Sequence, residues 1–430
     1  DAFMKSTDGA FKKLMKRVVR ESLGKKLSQM TRSDHLRLMR APKAERFLPR
    51  HLMVPTFKHF LEGIGLDLST AARTQVEIDD LPHPNKNPRA ACFPIEVPGD
   101  VRISVKPKGG VESWATLFHE GGHALHFAWT KEKRFAFQKL GNGTATEAYA
   151  ELFARVWAEP RWLERYREFV RARNRSRAAH KRWIQSLQKR PFFITAKKMG
   201  LGLSRSLKRR RRVPLMSKKD MAYVIRHRLA WDMYLYRRYG WAKLIYEGAL
   251  HGAEDSLWAG VYKGEISDRK ALYKDLFSKA YGYSLREMDA QRYLADVDPF
   301  LYAADYARAF LGADRIIEHL RKEFGDNWFE NKKVGPYLKK LWAKGTRWTA
   351  EGVVKQLGYK RLDYSGSKAR FERLWKAAQL GPRSSKGAFA RPRHRGRAHA
   401  RTRTRPRPEP RCAGGKKPDK RGMCPIPIAR

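Results

Sequence analysis

Two histidines and a glutamate occur at a spacing that suits metal chemistry. His119, Glu120 and His123 form the pattern His-Glu-x-x-His inside an apolar stretch that favours a helix. Because residues i and i+4 lie one above the other on a helix, both imidazoles can bind one ion at the ~2.0–2.1 Å typical of zinc–nitrogen bonds. Glu120 lies beside that pair, where it can accept a proton from a water whose pKa the zinc lowers. The pattern predicts one zinc ion per chain and a hydrolytic reaction.

The alternative is a pair of core histidines beside a hydrogen-bonded glutamate, with no metal. Gly121 and Gly122 follow Glu120 directly, and each glycine inside a helix costs up to ~1 kcal/mol relative to alanine. A plain core helix gives no reason for that cost. We therefore expect another backbone, or a substrate, to approach the helix closely at these two positions.

A catalytic zinc site needs a third protein ligand and one open position. The pattern that supplies a third histidine would have glycine at position 126 and histidine at 129, but the sequence has His126 and Trp129. A carboxylate further along must then serve. Glu147 lies 24 residues after His123, and Glu151 follows it at i+4 on an expected helix. We favour Glu147 as the ligand and Glu151 as its support, and the reverse assignment is the alternative.

The elements that must position these residues are mostly helices. Apolar side chains recur at helical spacing within residues 1–75, over about 112–129, and over 144–172 with an interruption near Pro160. Helical spacing then continues to about residue 380. The sequence predicts a mainly α fold.

A β-hairpin should precede the first metal-binding helix. Residues 91–97 and 101–106 are β-prone, and Pro98-Gly99-Asp100 between them favours a turn. Just upstream, residues 81–88 are rich in proline and asparagine and predict irregular backbone. We expect the hairpin to lie beside the metal-binding helix, where one strand edge could hold a peptide by main-chain hydrogen bonds.

The composition bounds the class of protein. The formal net charge is +49. Residues 383–430 contribute 16 Lys/Arg against 2 Asp/Glu, so the body keeps a charge of +35. That tail is rich in Arg, Pro, Ala and Gly, cannot bury a core, and is predicted to be disordered. We predict three regions: a helical region 1–75, a catalytic region 76–382, and the tail.

The basic charge admits a second class of function. A nucleic-acid-binding protein on a protease-like fold would carry such a charge, but no zinc finger, helix-turn-helix or RNA-binding signature is present. We therefore predict no specific nucleic-acid partner and interpret the charge as a solvated basic surface. No stretch approaches the ~18 apolar residues of a membrane span. The 3 cysteines favour a cytoplasmic location.

The motif resembles that of the oligoendopeptidase F and thimet oligopeptidase family. The shared residues are His-Glu-x-Gly-His-x-x-His, from His119 to His126, and a glutamate-bearing helix about 25 residues later. The resemblance runs from about residue 50 to 375 and is sharp only at 117–153. It implies a zincin-like helical domain with a deep channel, one zinc ion at its floor, and hydrolysis of short peptides.

The resemblance also implies roles for individual residues. His119, His123 and Glu147 would be zinc ligands and Glu120 the general base, while His126 would match the family's additional histidine in a supporting role. The family binds substrate and stabilises the oxyanion with tyrosines on a late helix. Tyr302 and Tyr306, which follow Asp298-Pro299, match that position. Plain ring packing at i and i+4 is the alternative for this pair.

Three features depart from the family pattern. Val297 stands about where the family has a histidine, only 118 residues precede His119, and the Arg/Pro tail has no counterpart. Part of the channel wall is therefore expected to be missing. A catalytically impaired zinc-binding fragment is the remaining alternative to an active peptidase.

Overall fold

A computed structural model describes residues 2–68, 75–80, 85–106, 108–176, 185, 212–251 and 268–379. The tail 383–430 and nearly all of the basic run Lys208–Arg212 lie outside these residues. Contacts divide the chain into residues 1–383 and residues 384–430. The region boundaries at 75 and 382 stay predictions.

Helices dominate the described chain, which confirms the mainly α fold. The α-helices are α1 (Ala2–Leu23), α2 (Arg32–Met39), α3 (Met53–Gly63), α4 (Gly110–Ala128), α5 (Phe135–Lys139), α6 (Thr144–Ala154), α7 (Pro160–Arg175), α8 (Lys218–Arg237), α9 (Leu244–Leu250), α10 (Arg269–Tyr281), α11 (Glu287–Ala290), α12 (Tyr302–Phe324), α13 (Val334–Trp342), α14 (Ala350–Gln356) and α15 (Ser365–Gln379). Short 3₁₀ segments and one π-helical segment, Arg238–Lys243, join several of them.

A three-stranded sheet lies beside α4, with β1 (Gln75–Asp79), β2 (Ala91–Glu96) and β3 (Asp100–Ser104) in the order β1-β3-β2. Strands β2 and β3 pair antiparallel, which confirms the predicted hairpin, and both contact α4. Strand β1 pairs parallel with β3 and was not predicted. Its pairing is non-local, because the proline-rich segment and all of β2 lie between β1 and its partner.

The two helices that carry the metal-site residues are in close contact. Helix α4 spans Gly110–Ala128, within two residues of the predicted start and one of the predicted end. A Cβ atom at Gly122 would lie 2.6 Å from the Cα of Ala150 and 2.6 Å from the carbonyl oxygen of Tyr149, both on α6. A Cβ atom at Gly121 would lie 2.2 Å from the ring of Phe57 on α3. The expected close approach is confirmed, and for Gly122 the neighbour is a backbone.

An aromatic cluster holds α4 and the end of α6 in place. On α4, Trp114 packs edge to face against Trp157, and Phe118 packs edge to face against both Trp157 and Trp162. Trp157 also packs against Trp162, and all these ring centroids are 5.2 to 5.9 Å apart. Trp157 belongs to the 3₁₀ segment Arg155–Ala158 that ends α6. Pro160 then begins α7, where its missing N–H costs nothing, so the predicted interruption is confirmed.

Within the described residues, no helix is long and apolar enough to cross a membrane. The cytoplasmic location stays a prediction.

The contact between α4 and α6 predicts opposite effects for two glycine substitutions. Gly122→Ala adds a methyl group against backbone atoms of α6, which cannot move aside as a side chain would. We expect the variant to be less stable, because overpacking costs about 1–3 kcal/mol and the gain in helix propensity is at most ~1 kcal/mol. Gly9→Ala in α1 is the matched control, because nothing lies within 4 Å of the added Cβ.

Thermal unfolding measures both variants. The melting temperature should fall for Gly122→Ala and rise or stay unchanged for Gly9→Ala. Equal shifts for the two variants would show that α4 and α6 are not in tight backbone contact.

Candidate metal centre

Three side-chain atoms from α4 and α6 converge on one point. The Nε2 atom of His119 lies 3.4 Å from Oε2 of Glu147, and the Nε2 atom of His123 lies 3.5 Å from the same oxygen. The three residues offer ligand atoms that all lie within 4.8 Å of one another. Around a tetrahedral zinc ion with bonds of ~2.0–2.1 Å, ligand atoms lie about 3.3–3.4 Å apart. The cluster is therefore compatible with a zinc ion.

The carboxylate of Glu147 provides an independent test of that fit. Glu147 is only 5% exposed, and its buried Oε2 atom has no hydrogen-bond partner. A buried carboxylate oxygen without a partner is costly, and a cation between it and the two imidazoles would remove the cost. Burial by itself would raise the pKa of Glu147, but the imidazoles of His123 and His119 lower it.

Both imidazoles are oriented through their second nitrogen. The Nδ1 atom of His123 is 2.9 Å from the hydroxyl of Thr146, and the Nδ1 atom of His119 is 3.3 Å from Oε1 of Glu151. Such contacts fix the ring and the tautomer and leave Nε2 free for a metal. Burial opposes the charged form of His119, yet the neighbouring carboxylates of Glu147 and Glu151 raise its pKa. Thr146 was not predicted from the sequence, where its only signal is its position before Glu147.

Glu120 lies next to His119 on α4 and is 9% exposed. In the described part of the chain its carboxylate has neither a hydrogen bond nor an ion pair, so it is free to accept a proton. Strand β2 contacts α4, and burial together with the charge of Glu120 raises the pKa of the Cys92 thiol on that strand.

Tyr302 and Tyr306 differ in their contacts with the candidate metal ligands. Tyr302 begins α12 and donates a hydrogen bond of 2.9 Å from its hydroxyl to Oε1 of Glu147. Tyr306 packs its ring 5.0 Å, between centroids, from the rings of Tyr302 and Tyr239. Burial raises the pKa of both phenols, and the charge of Glu147 adds to the effect. Tyr302 thus reaches the three-residue cluster directly, and Tyr306 reaches it only through ring packing.

His126 is fully buried and is bonded elsewhere. Its Nε2 atom lies 3.1 Å from the carbonyl oxygen of Gly345, and its ring centroid is 5.0 Å from that of Tyr149. Burial lowers its pKa to about 4, so the ring is neutral at pH 7 and can donate to that carbonyl. His126 is therefore hydrogen-bonded to the 3₁₀ segment Gly345–Arg347. A supporting role for His126 at the metal site stays a prediction.

Glu151 uses its second oxygen for an arginine. Its Oε2 atom accepts a hydrogen bond of 3.3 Å from Nε of Arg155, and both side chains are buried. Thus the two oxygens of Glu151 contact His119 and Arg155 separately, whereas the single Oε2 atom of Glu147 lies between the Nε2 atoms of both histidines. This difference favours Glu147 as the ligand and Glu151 as its support.

Comparisons with known proteins give structural similarity only. No family model and no curated protein matches the sequence. Similar solved structures include metallocarboxypeptidase 1 of Trypanosoma cruzi (15% identity, TM-score 0.47, covering 87% of this chain and 66% of that one). A Pyrococcus furiosus carboxypeptidase, as an apo-Mg structure, gives 12% identity and a TM-score of 0.49 over 87% of this chain and 65% of that one.

A third similar structure is the M32 carboxypeptidase of Deinococcus radiodurans R1, with 14% identity, a TM-score of 0.42, and coverage of 85% of this chain and 70% of that one. The chain spans about two thirds of the length of these proteins. None of the three is an oligoendopeptidase F or a thimet oligopeptidase, so the resemblance to that particular family stays a prediction. At these similarities the function must be argued from the site itself.

Proposed function

We propose that this chain is a zinc-dependent peptidase that hydrolyses short peptides, with the zinc held by His119, His123 and Glu147. The observation that carries the proposal is the buried Oε2 atom of Glu147, which accepts no hydrogen bond and lies 3.4 and 3.5 Å from the two Nε2 atoms. Three protein ligands leave a fourth position open for water or substrate, as a catalytic site requires.

Each part of the reaction has a residue to perform it. A zinc ion bound there would polarise the scissile carbonyl and lower the pKa of a water molecule. Glu120 would accept a proton from the attacking water and then deliver it to the leaving amine. Its lack of any hydrogen bond or ion pair among the described residues supports this role, because no protein group there competes with water for the carboxylate oxygens.

Tyr302 is our candidate for the donor to the oxyanion. Its hydroxyl donates a hydrogen bond of 2.9 Å to Oε1 of Glu147. It therefore contacts one of the proposed zinc ligands and is not itself a ligand. Exchange of that hydrogen bond for one to the developing oxyanion would stabilise the transition state selectively. Tyr306 lies one helical turn further along and is the second candidate. Glu151 and His126 would support the ligands.

Strand β2 is our candidate for holding the substrate main chain. It forms one edge of the sheet and it contacts α4, the helix that carries Glu120. The ammonium of Lys139 already covers the carbonyl oxygens of Pro94 and Ile95, at 3.2 and 3.3 Å. A bound peptide would therefore pair with the part of β2 nearest Ala91 and Cys92.

Zinc content tests the ligand set. The purified protein should contain one zinc ion per chain, and His123→Ala should lose most of it because two ligands hold the ion far less tightly than three. His251→Ala removes an exposed histidine and is the matched control. Elemental analysis after dialysis gives the ratio. Equal zinc in the parent and in His123→Ala would remove His123 from the ligand set.

Peptide cleavage tests the reaction and the base together. A mixed library of short peptides should be cleaved by the parent and left intact by Glu120→Gln, because the amide cannot accept a proton. We expect a loss of roughly a hundredfold or more in kcat with zinc retained. Activity of Glu120→Gln within a few-fold of the parent would refute the role of Glu120.

The same library separates the remaining classes of function. Each peptide is used with a free and with an amidated C-terminus, because only a carboxypeptidase depends on the free carboxylate. Internal cleavage of both forms supports an oligopeptidase. A zinc-loaded parent that cleaves nothing would be the impaired, zinc-binding protein. Salt-dependent binding of DNA or RNA by such a parent would favour the nucleic-acid alternative.

Two tyrosine substitutions test the oxyanion donor. Tyr302→Phe removes only a hydroxyl, and we expect kcat to fall roughly a hundred- to a thousandfold with little change in KM. Tyr306→Phe keeps the ring packing and should remain close to the parent. Zinc content is measured in both. Loss of zinc from Tyr302→Phe would make Tyr302 a support for Glu147, and unchanged kcat in both variants would leave only ring packing.

A further inference from the structure

Glu151 stands at one end of a buried group of charges that we name the arginine–carboxylate cluster. Its members are Glu151, Arg155, Arg228, Asp232, Asp314 and Arg370. Each is between 1% and 7% exposed. Three carboxylates and three guanidinium groups give the cluster no net charge, which is the condition under which charges can be buried together.

Arg155 connects Glu151 to the rest of the cluster. Its Nε atom donates to Oε2 of Glu151 at 3.3 Å, while its Nη1 atom donates to the carbonyl oxygen of Phe310 at 3.1 Å and also to Asp314. Asp314 is itself held by the hydroxyl of Tyr236, which donates at 2.8 Å. One planar guanidinium group thus joins α6 to α12 and cannot rotate without losing several bonds.

The remaining members extend the cluster to α8 and α15. Nη2 of Arg370 donates to Asp232 at 2.6 Å, and Nε of Arg370 lies 3.7 Å from Asp314. Nη2 of Arg228 lies 3.4 Å from Asp232 and 3.5 Å from the carbonyl oxygen of Ala154 at the end of α6. Four helices therefore fix the position of the guanidinium that contacts Glu151.

The consequence reaches His119. Because Arg155 binds Oε2 of Glu151, the other oxygen, Oε1, is left facing Nδ1 of His119 at 3.3 Å. A carboxylate held at one oxygen by a rigid guanidinium has little freedom to rotate. The contact at Nδ1 orients the imidazole, so that its Nε2 atom faces Glu147 at 3.4 Å.

We propose that Arg155 is a positioning residue of the metal centre, which fixes the ring of His119 through Glu151. The proposal rests on the proposed zinc site and adds a residue to it that touches neither metal nor substrate. Removal of such an indirect support typically weakens metal binding by about 10- to 100-fold. Arg155→Met should therefore lower zinc affinity by that factor.

The matched control is Arg373→Met. Arg373 forms a comparable ion pair, with Nη1 and Nη2 at 2.6 and 2.7 Å from Glu159, but among the described residues it forms no hydrogen bond or ion pair with a member of the cluster. Zinc affinity is measured by competition with a chelator of known affinity, and the visible spectrum of the cobalt-substituted protein reports the ligand geometry. Both variants should lower the melting temperature of the metal-free protein, but only Arg155→Met should weaken zinc binding and alter the cobalt spectrum.

A double-mutant cycle tests whether Arg155 acts through Glu151. Glu151→Gln should lower the zinc affinity about as much as Arg155→Met. The zinc affinity of the double variant should be no lower than that of the single variant with the lower affinity. Additive losses would overturn the proposed route. If Arg155→Met does not fold, Arg155→Lys against Arg373→Lys decides, because lysine keeps the charge but cannot hold Glu151 and Asp314 together.

Different results would refute the metal site and the positioning role of Arg155. A parent without zinc refutes the metal site itself. A parent with one zinc ion per chain, whose affinity is unchanged in Arg155→Met or equally weakened in Arg373→Met, refutes only the positioning role of Arg155.

Discussion

The close approach of α4 and α6 is the constraint on which the site depends. Packed helices usually have their axes 8–10 Å apart. Side chains from both helices must also bring their ligand atoms within a few ångströms of one another, which is easier where the two backbones are close. Here Gly122 lets the backbone at Ala150 come into contact with α4. On the other side of α6, a Cβ atom at Gly312 of α12 would lie 3.2 Å from that of Ala148. Small residues thus place α6 between the helix that carries the histidines and the helix that carries Tyr302.

Helix α6 carries two carboxylates whose surroundings differ. Glu147 lies in the first turn, where the partial positive charge of the helix N-terminus favours an anion. One of its oxygens accepts no hydrogen bond and faces the two imidazoles, so a cation could bind there without breaking a hydrogen bond of that oxygen. Glu151 lies one turn later and has both oxygens engaged, by His119 and Arg155. This difference is the reason that we propose Glu147 as the ligand and Glu151 as its support.

The part of the site that could be predicted from the sequence is the part that depends on local spacing. His119 and His123 share a helix, and Glu147 and Glu151 share another, so a period of four residues finds both pairs. The hairpin was predictable because its turn lies within the chain segment that pairs. Strand β1 was not, since its partner β3 is distant in sequence and its own residues follow a segment of helical pattern.

The arginine–carboxylate cluster was missed for a different reason. Its members come from α6, α8, α12 and α15 and from the 3₁₀ segment after α6, and only the spacing of Glu151 and Arg155 is local. In a chain with 92 Lys/Arg, an arginine at helical spacing from a glutamate predicts an exposed ion pair. Arg155 is buried instead, and burial depends on how the helices pack.

The charge of the site is opposite to that of the chain. With a formal charge of +49, the surface would be expected to repel a divalent cation. At physiological ionic strength, however, exposed charges are screened beyond about 8 Å, whereas charges in the interior interact strongly at short range. Glu151 is neutralised by Arg155, but Glu120 and Glu147 have no cationic side chain of lysine or arginine among the described residues that pairs with them. Two uncompensated carboxylates match the charge of one zinc ion, so local electrostatics favour binding despite the basic surface.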